Sequence, residues 1–546
     1  MAEIPQECLP PQEHLPEKIF PLPEVRLPRK INPGVFFLDR HVCNGRGSKT
    51  AIFYKDQRMI TFAALQKEVN RLANALRRLG LEKNDRMMLR MPNRPEFIVA
   101  SLACWKLGAI PVLVNHLLRS DEIVFRANDS EAKAMLVSSD VLSEVVKAKD
   151  RFHCTEHIVV CGQKEKGFPF YEDLIRNEPE TFEAVECDRD DWLRIIYSSG
   201  TTGNPKGIVT SIGDAIAAAA VASRYLFEMT PEDVIGGHPA FTFAFGFYFI
   251  LLFGYNGCSL SITERFDAES MLQTIQDHRI TVLRCVPTVY RMMLAVEDAE
   301  KRYDLSSLRL CQGAGEWMPG KVVKAWRKRF GVDLLDSVGS GDLNSFLSTR
   351  KGTPEDKLDS SGFLLPGVEG KIVDAQFREV PRGSTGELLI RAPWGQYYWR
   401  RPDKQKEGIH EGWNRTGLIY QEDEDGYLWF KGRNDEVIVS SGNKIPGGEV
   451  EAALLTHEAV LETAVVPSPD AIRGSIVKAF VVLKPGYQPS AKLVEALKKH
   501  VKEKIESYKA PRVIEFVSRE SLPRTVTGKI QRFILRDDEK RGTSVR

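Results

Sequence analysis

The sequence predicts an α/β protein with a large N-terminal domain and a small, mobile α+β C-terminal domain. Over about the first 400 residues, short runs rich in Val, Ile and Leu alternate with amphipathic helical stretches. This alternation is typical of parallel-rich sheets covered by helices. Short strands separated by turn residues around Gly383–Arg391 and Gly426–Phe430 indicate an additional β subregion. The 546 residues also exceed what a single hydrophobic core normally supports, so more than one domain is expected.

Individual elements of the large domain follow from local periodicity. Apolar residues three and four positions apart indicate a helix, and short apolar runs bounded by turn residues indicate buried strands. The predicted helices are Thr61–Leu79 and Pro95–Leu107, and the predicted strands are Arg86–Met91, Ala134–Val137, Val282–Val286 and Leu308–Cys311.

One stretch without charge requires a decision between a membrane helix and a buried helix. From His238 to Thr263 there is no Asp, Glu, Lys or Arg, and Phe241–Tyr255 is almost wholly apolar. A membrane-spanning helix needs about 20 apolar residues, and this run is shorter and is interrupted by Gly246 and Gly254. We therefore expect a buried helix beside a ligand pocket and no membrane span.

The N-terminal residues are predicted to form an arm, and the C-terminal residues are predicted to form a folded domain. Residues 1–33 contain eight prolines, which favours an extended arm on the surface or a disordered segment. A Gly-Arg-Asn-Asp sequence at 432–435 separates two apolar runs, so the large domain is expected at 34–433 and the small one at 434–546. The small domain's elements are expected at Glu449–Leu455, Ala464–Pro467, Ala479–Leu483, Ala491–Ile505 and Val513–Phe516.

The charge, the cysteine spacing and the first residues of the chain argue against several classes of protein. The formal net charge is +2 and no long run of one sign is present, which gives no support for nucleic-acid binding. The nine cysteines lack the spacing of a metal site and fit reduced thiols. The first residues also lack the basic and apolar regions of a secretory signal, so a cytoplasmic location is expected.

The most informative segment is residues 197–207, which read Tyr-Ser-Ser-Gly-Thr-Thr-Gly-Asn-Pro-Lys-Gly. Three glycines, a proline and five hydroxyl groups favour a loop, and the apolar run Leu193–Tyr197 before it is predicted to be a buried strand. Backbone N–H groups, hydroxyl groups and the cation of Lys206 suit a polyphosphate ligand. The spacing is not that of a Walker P-loop.

Further motifs follow in a consistent order. They are Gly313–Glu316, Asp336–Asp342, Arg415–Gly417, Gly432–Asp435, Ser440–Ile445 and Pro523–Arg532. With the 197–207 loop, this set resembles the adenylate-forming acyl/aryl-CoA synthetase superfamily of AMP-binding enzymes over nearly the whole chain. The segments 37–41, 111–118, 241–246, 470–474 and 477–480 are most similar to benzoate- and 2-aminobenzoate-CoA ligases and to medium-chain acyl-CoA synthetases.

The resemblance implies an acid–thiol ligase that uses ATP, Mg²⁺ and coenzyme A. A small carboxylic acid, aryl or medium-chain, would form an acyl-adenylate and then a thioester, and the enzyme would be a monomer or homodimer. Lys529 and Arg433 would be catalytic, and Thr201 and Asp342 would assist the metal ion. The implied ATP and AMP site comprises Ser198, Ser199, Gly200, Thr201, Thr202, Gly203, Lys206, Gly313, Ala314, Gly315, Asp336, Gly339, Ser340, Gly341 and Leu418.

The resemblance also implies where the other substrates bind. Rotation of the small domain about a hinge at Asp435 would exchange the two half-reactions. The acid pocket would be lined by Ala244, Phe245, Gly246, Ser345 and Phe346, and the coenzyme A channel by Ser441, Gly442, Asn443 and Arg473. An apolar aromatic lining suits an aryl ring or a short aliphatic tail.

Three positions depart from the superfamily pattern. The usual Thr-Gly-Asp, whose carboxylate accepts hydrogen bonds from the ribose, is Thr416-Gly417-Leu418 here. Each lost bond of this kind contributes roughly 1.5–3 kcal/mol, so weak ATP binding or an unusual nucleotide pose is expected unless Asp423 or Asp425 substitutes. The usual Thr-Glu is Gly341-Asp342, and Gly213-Asp214 stands where many relatives carry histidine.

Two other functions remain open from the sequence. An adenylating enzyme that loads a carrier protein would share the same motifs. A homologue that binds nucleotide or acyl groups with little turnover is motivated by Leu418 and Gly341.

Overall fold

The computed structural model describes residues 10–55, 58–198, 205–316, 318–434, 437–440, 443–470, 474–524, 528 and 530–542. The chain divides into two compact units. The large unit comprises residues 1–199, 205–370 and 390–414, and the small unit comprises residues 200–204, 371–389 and 415–546. The predicted movement about a hinge at 435 stays a prediction.

Helices alternate with strands along most of the large unit. In chain order, the α-helices of both units are α1 Phe62–Arg78, α2 Pro95–Leu107, α3 Ser120–Ser130, α4 Ser143–Val146, α5 Tyr171–Ile175, α6 Ile212–Val221, α7 Ala244–Asn256, α8 Ala268–Asp277, α9 Pro287–Leu294, α10 Ala299–Arg302, α11 Gly320–Phe330, α12 Pro402–Gly408, α13 Gly447–Leu455, α14 Ala491–Lys504 and α15 Arg532–Arg541.

The strands are mostly short. They are β1 Thr50–Tyr54, β2 Arg58–Thr61, β3 Arg86–Arg90, β4 Ile110–Leu113, β5 Ala132–Ser138, β6 His157–Cys161, β7 Trp192–Ser198, β8 Lys206–Ser211, β9 Val234–Gly237, β10 Ser259–Ile262, β11 Val282–Cys285, β12 Leu310–Ala314, β13 Leu334–Ser340, β14 Asn344–Ser348, β15 Phe363–Leu364, β16 Glu369–Val373, β17 Thr385–Arg391, β18 Tyr397–Tyr398, β19 Ile409–His410, β20 Trp413–Glu422, β21 Leu428–Arg433, β22 Val437–Ser440, β23 Asn443–Pro446, β24 Val460–Asp470, β25 Gly474–Leu483 and β26 Val513–Phe516.

Two sheets form the large unit. One has the order β15-β14-β13-β12-β11-β9-β10-β1-β2, and the other has the order β18-β8-β7-β4-β3-β5-β6. The central pairs β9–β11, β11–β12, β12–β13, β3–β4 and β4–β7 are parallel, while the edge pairs β1–β2, β13–β14 and β7–β8 are antiparallel. The prediction of parallel-rich sheets covered by helices is therefore confirmed.

The helix predicted at Thr61–Leu79 is α1, Phe62–Arg78. Helix α1 begins after Thr61, whose side chain accepts a hydrogen bond from the backbone N–H of Ala64.

Helix α7 is apolar on all sides, and its residues from Gly246 to Gly254 are buried. This charge-free segment is thus the buried helix that the sequence predicts. Among the described residues, no helix is both long and apolar enough to cross a membrane.

The described part of the N-terminal arm, residues 10–33, is hydrogen-bonded to the rest of the large unit. The backbone N–H of Glu17 donates to the carbonyl of Gly412, and that of Ile19 donates to Ala392. Between them, Lys18 Nζ lies 2.6 Å from a carboxylate oxygen of the buried Asp214. Burial opposes the charge of Lys18, but the adjacent carboxylate outweighs it and raises the pKa of the ammonium group. The departure at Asp214 is thus explained by its role in anchoring the arm.

The small unit contains a compact α+β core near its C-terminus. Strands β24, β25 and β26 form one sheet, in which β24–β25 is antiparallel and β25–β26 is parallel. One face is covered by α13 and α14, and the other packs against α15 through Leu535. A five-stranded sheet has the order β16-β17-β20-β19, with β21 also paired antiparallel to β20, and β22 and β23 form a two-stranded antiparallel sheet.

Candidate nucleotide and acid site

The base of the predicted phosphate loop is a pair of antiparallel strands. Strand β7 ends at Ser198 and β8 begins at Lys206, and these two residues are register partners. The Ser198 hydroxyl is buried and finds no hydrogen-bond partner in the described part of the chain. A Cβ atom on Gly207 would lie 2.9 Å from the Trp399 Cβ, so glycine permits this close approach. The hairpin therefore fixes one hydroxyl and one ammonium side by side at the start and end of the loop.

Lys206 and Asp342 are connected through an aromatic ring. Lys206 Nζ lies 4.2 Å from the ring centroid of Tyr398. The Tyr398 hydroxyl donates a hydrogen bond to Asp342 Oδ2 over 2.6 Å. Burial raises the pKa of Tyr398 well above its ordinary value, and the charge of Asp342 raises it further. The phenol therefore remains a protonated donor to the carboxylate predicted to assist the metal ion.

Sequence reasoning missed Tyr398. The signal available was the aromatic run Tyr397-Tyr398-Trp399, which contains the strand β18 that pairs with β8. Aromatic residues in such a run are usually part of a core, so the run by itself indicates packing.

Glycine at position 341 has a steric reason. A Cβ atom there would lie 3.1 Å from Ile196 Cδ1 and 3.2 Å from Ile208 Cδ1. These two isoleucines are register partners in β7 and β8. A threonine at this position would crowd both side chains. Glycine lacks the threonine hydroxyl of the superfamily motif, but it lets the β7–β8 hairpin pack closely against residues 340–342.

Strands β12, β13 and β14 bring the central motifs together. Gly313 is the register partner of Asp336, and Gly339 is the partner of Ser345. A Cβ atom on Gly339 would lie 2.1 Å from the carbonyl oxygen of Asn344, which requires glycine there. Ser340 pairs with Asn344 in the same ladder. Residues predicted to bind the nucleotide and residues predicted to bind the acid therefore lie on neighbouring strands of one sheet.

The Gly313–Gly315 segment carries at most a methyl side chain, as expected of a surface against which a planar base lies. A Cβ atom on Gly313 would lie 2.0 Å from Met318 Cε, which is the flexible end of a side chain. Ala314 ends strand β12, and Gly315 follows with a φ of +87°. Opposite Gly313, burial raises the pKa of Asp336 to about 8.

The predicted acid-pocket residues lie on two elements. Ala244, Phe245 and Gly246 form the first turn of α7, where a Cβ atom on Gly246 would lie 2.0 Å from the Ala240 carbonyl oxygen. The Phe245 ring is partly exposed and contacts Phe249 edge-to-face. Ser345 and Phe346 lie in β14, where Phe346 is buried and Ser345 is partly exposed.

The residues around Leu418 belong to the small unit and are held by local bonds. Leu418 is the register partner of Arg433. The Thr416 hydroxyl donates to the Leu388 carbonyl and accepts from the Leu418 N–H. Arg415 makes two bonds of 3.0 and 2.8 Å to the Glu387 carboxylate. This Thr-Gly-Leu turn is therefore well formed, although it lacks the carboxylate.

Asp423 does not replace the missing carboxylate. Its Oδ1 accepts from the Tyr427 N–H and its Oδ2 accepts from Trp429 Nε1, so it closes the turn between β20 and β21. It also lies five residues beyond Leu418 along an extended segment, about 17 Å at about 3.4 Å per residue. Asp425 lies further along, in the exposed part of that turn.

Described residues on either side of Lys529 are hydrogen-bonded to one another. Arg524 and Ile530 make an antiparallel bridge, and the Gln531 N–H donates to the Pro523 carbonyl. Arg524 Nη1 also donates to the carbonyl of Gly528, whose φ of +84° suits glycine. These bonds hold Pro523 and Arg524 close to Gly528, Ile530 and Gln531.

Several predicted site residues lie outside the described residues. They are Ser199, Gly200, Thr201, Thr202, Gly203, Asp435, Ser441, Gly442, Arg473 and Lys529. Asn443 begins strand β23, where it is the register partner of Ser440. The roles assigned to all these residues stay predictions.

The chain is similar in sequence to known proteins over most of its length. The AMP-binding enzyme family matches residues 39–398, and the AMP-binding enzyme C-terminal domain matches residues 449–529. The benzoate–CoA ligase of Thauera aromatica is 36% identical over 520 residues, which cover 94% of this chain and 97% of that protein. The human mitochondrial acyl-coenzyme A synthetase ACSM4 is 33% identical over 530 residues, which cover 94% of this chain and 88% of that protein.

Solved structures agree with the sequence relatives. The anthranilate CoA ligase AuaEII in complex with anthranoyl-AMP superposes with a TM-score of 0.86 at 34% identity, covering 95% of this chain and 99% of that one. The chain therefore belongs to the AMP-binding enzyme family, and the superfamily resemblance read from its motifs is confirmed.

Proposed function

We propose that this protein is an ATP-dependent acid–CoA ligase that activates an aryl or medium-chain carboxylic acid. The observation that carries the proposal is the Lys206–Tyr398–Asp342 arrangement at the base of the phosphate loop. It supports the proposal because Lys206 and Asp342 are the cation and the carboxylate that the family motifs assign to the triphosphate and its metal ion. The relatives named above support the same class of reaction.

The reaction has two steps. In the first, a carboxylate oxygen of the acid attacks the α-phosphorus of ATP, the bond to the β-phosphate oxygen breaks, and pyrophosphate leaves. In the second, the thiol of coenzyme A loses its proton and attacks the acyl carbon, and AMP leaves with the electrons of the C–O bond. Charge builds up on phosphate oxygens in the first step, where Lys206 and the predicted Lys529 supply positive charge.

The described residues are compatible with a magnesium ion that arrives with the nucleotide. Among them, no group of three or more His, Cys, Asp or Glu side chains is placed to hold a metal ion. Mg²⁺ in nucleotide enzymes is commonly held by one or two carboxylates together with substrate phosphates. Asp342 uses Oδ2 for the Tyr398 hydroxyl, and its carboxylate is the ligand that we assign to Mg²⁺. The ion, when bound, neutralises charge on the phosphates.

The acid pocket supports an apolar substrate body. Phe245 presents a partly exposed ring at the start of α7, and α7 is otherwise apolar. An aromatic wall suits an aryl ring or an aliphatic tail. We also propose that the protein is cytoplasmic and is a monomer or a homodimer.

Acid-dependent exchange of labelled pyrophosphate into ATP tests the first step. A panel of aryl acids and C4–C10 aliphatic acids is expected to include at least one that supports exchange and then forms a thioester with free coenzyme A. Exchange without a thioester would favour a carrier protein as the acceptor. Nucleotide binding by calorimetry with no exchange for any acid would show a binding protein instead and would overturn the proposal.

A further inference from the structure

Two buried polar side chains behind Phe245 have unused hydrogen-bond donors. Arg284 in β11 and Gln312 in β12 are register partners, and each is 0% exposed. Arg284 Nε donates to Gln312 Oε1 over 2.6 Å. The remaining groups, Arg284 Nη1, Arg284 Nη2 and Gln312 Nε2, find no hydrogen-bond partner in the described part of the chain. The pair therefore presents donors at three buried nitrogen atoms.

Aromatic rings surround the Arg284 guanidinium. Its central carbon lies 4.6 Å from the ring centroid of Phe245, 4.8 Å from Phe249, 5.2 Å from Tyr248 and 5.4 Å from Phe227. The Tyr248 hydroxyl donates to the carbonyl of Ala218. Ring faces attract a cation but do not accept the directed hydrogen bonds of five N–H groups.

Among the described residues, no carboxylate is paired with the buried charge of Arg284. Burial lowers the pKa of the guanidinium to about 9, and the groups that raise it again are the hydroxyls of Tyr248 and Tyr290 and the thiol of Cys285. At neutral pH the group is still protonated. A fully buried charge without a partner is costly, and such groups are concentrated at binding sites.

The position of the pair connects it with the proposed active site. Gln312 immediately precedes Gly313, and Arg284 precedes Cys285, which is the register partner of Gly313. Both residues lie near the carboxyl ends of parallel strands, where α/β proteins bind ligands. The ring that contacts Arg284 most closely, Phe245, is partly exposed, whereas Arg284 is buried.

We propose that Arg284 and Gln312 form the inner end of the acid pocket and select an acid that carries a second carboxylate remote from the reacting one. Donor-only groups complement an acceptor-only carboxylate, and a planar guanidinium can bind one through both Nη atoms. The surrounding rings suit an aryl or aliphatic body between the two carboxylates. This inference rests on the proposed ligase function and specifies its substrate class.

Matched acid pairs test this selectivity in the full-length protein. Benzoic acid is compared with isophthalic and terephthalic acids, and hexanoic acid with adipic acid, by pyrophosphate exchange. At least one dicarboxylic acid is expected to have a kcat/KM ten-fold or more above its monocarboxylic counterpart. Arg284→Met should lower that kcat/KM 100-fold or more and should lower the ratio of dicarboxylic to monocarboxylic kcat/KM at least ten-fold, and Arg284→Lys should restore part of it.

Two further variants separate selectivity from folding. Gln312→Glu places a carboxylate beside Arg284 and should shift preference toward monocarboxylic acids in a protein that folds. Arg194→Met is the matched control, because Arg194 is also fully buried, has two unpartnered Nη atoms among the described residues and lies 4.8 Å from the Phe247 ring. It should leave the preference unchanged, whatever its effect on the melting temperature.

Each result has a distinct meaning. If the wild type prefers monocarboxylic acids and neither Arg284→Met nor Gln312→Glu changes the ratio, the inference is wrong and the ligase function stands. If Arg194→Met changes the ratio as much as Arg284→Met does, the effect is general to buried arginines and the inference is also wrong. If no acid of either kind supports exchange, the proposed function itself fails.

Discussion

The Tyr398 hydroxyl donates a 2.6 Å hydrogen bond to the carboxylate of Asp342, and Lys206 lies over the face of the same tyrosine ring. One buried phenol thus contacts two charged groups predicted to act on the triphosphate and its metal ion. Charge-assisted hydrogen bonds contribute roughly 1.5–3 kcal/mol. The position of the Asp342 carboxylate therefore depends on a residue that the family motifs of the sequence do not include.

Tyr398→Phe is expected to release Asp342 while preserving the ring over which Lys206 lies. We expect kcat/KM for ATP to fall about ten-fold and the Mg²⁺ concentration at half-maximal rate to rise, because about 1.4 kcal/mol corresponds to a factor of ten. Pyrophosphate exchange at varied ATP and Mg²⁺ measures both. The neighbouring Tyr397→Phe is the control and should leave the Mg²⁺ dependence unchanged. Equal effects of the two variants would contradict a specific role for Tyr398.

Leu418→Asp is expected to strengthen ATP binding. The turn Thr416-Gly417-Leu418 is already formed by its own hydrogen bonds, so the substitution adds the ribose acceptor of the superfamily to an existing scaffold. One added charge-assisted bond should lower the KM for ATP by about ten-fold or more. Leu418→Asn, which adds a polar group without charge, should give a smaller change. An unaltered ATP affinity in Leu418→Asp would show that the nucleotide binds this chain in another pose.

Gly341→Thr is expected to destabilise the fold. Its Cβ would lie within 3.2 Å of the δ-methyl groups of Ile196 and Ile208, and crowding of this kind costs about 1–3 kcal/mol. Chemical denaturation measures the loss. Adding Ile208→Val removes one of the two methyl groups and should recover part of the stability. If Gly341→Thr unfolds at the same denaturant concentration as the wild type, the steric explanation for this glycine is wrong.

Asp336→Asn is expected to change how stability depends on pH. The ordinary pKa of an aspartate is 3.8, and burial raises that of Asp336 to about 8, so the folded protein retains a proton that the unfolded chain releases. Between these two values, stability from this group falls as pH rises, by at most about 1.4 kcal/mol per pH unit. The variant should lose this dependence and gain stability toward pH 8. Thermal melts from pH 5 to 8 measure the difference from the wild type, and parallel curves would contradict it.

Much of the fold was predictable from local pattern. Helix α2 spans Pro95–Leu107 as predicted, and the strand predicted at Leu193–Tyr197 extends by one residue at each end as β7. Strand β12 begins two residues later than expected and continues through the glycines to Ala314. Glycine indicates a turn when read locally, but here pairing with β11 and β13 keeps the segment extended.

The family, its reaction class and most of the nucleotide motifs could be read from the chain alone, because loops that bind phosphate and adenine need particular residues in a particular order. Tertiary structure was required for the Tyr398–Asp342 bond and for the donors of Arg284 and Gln312, since these join segments distant in sequence. An arginine inside an apolar strand does not reveal whether its charge is paired. Only the packed strands and rings around Arg284 show that its Nη atoms have no hydrogen-bond partner among the described residues.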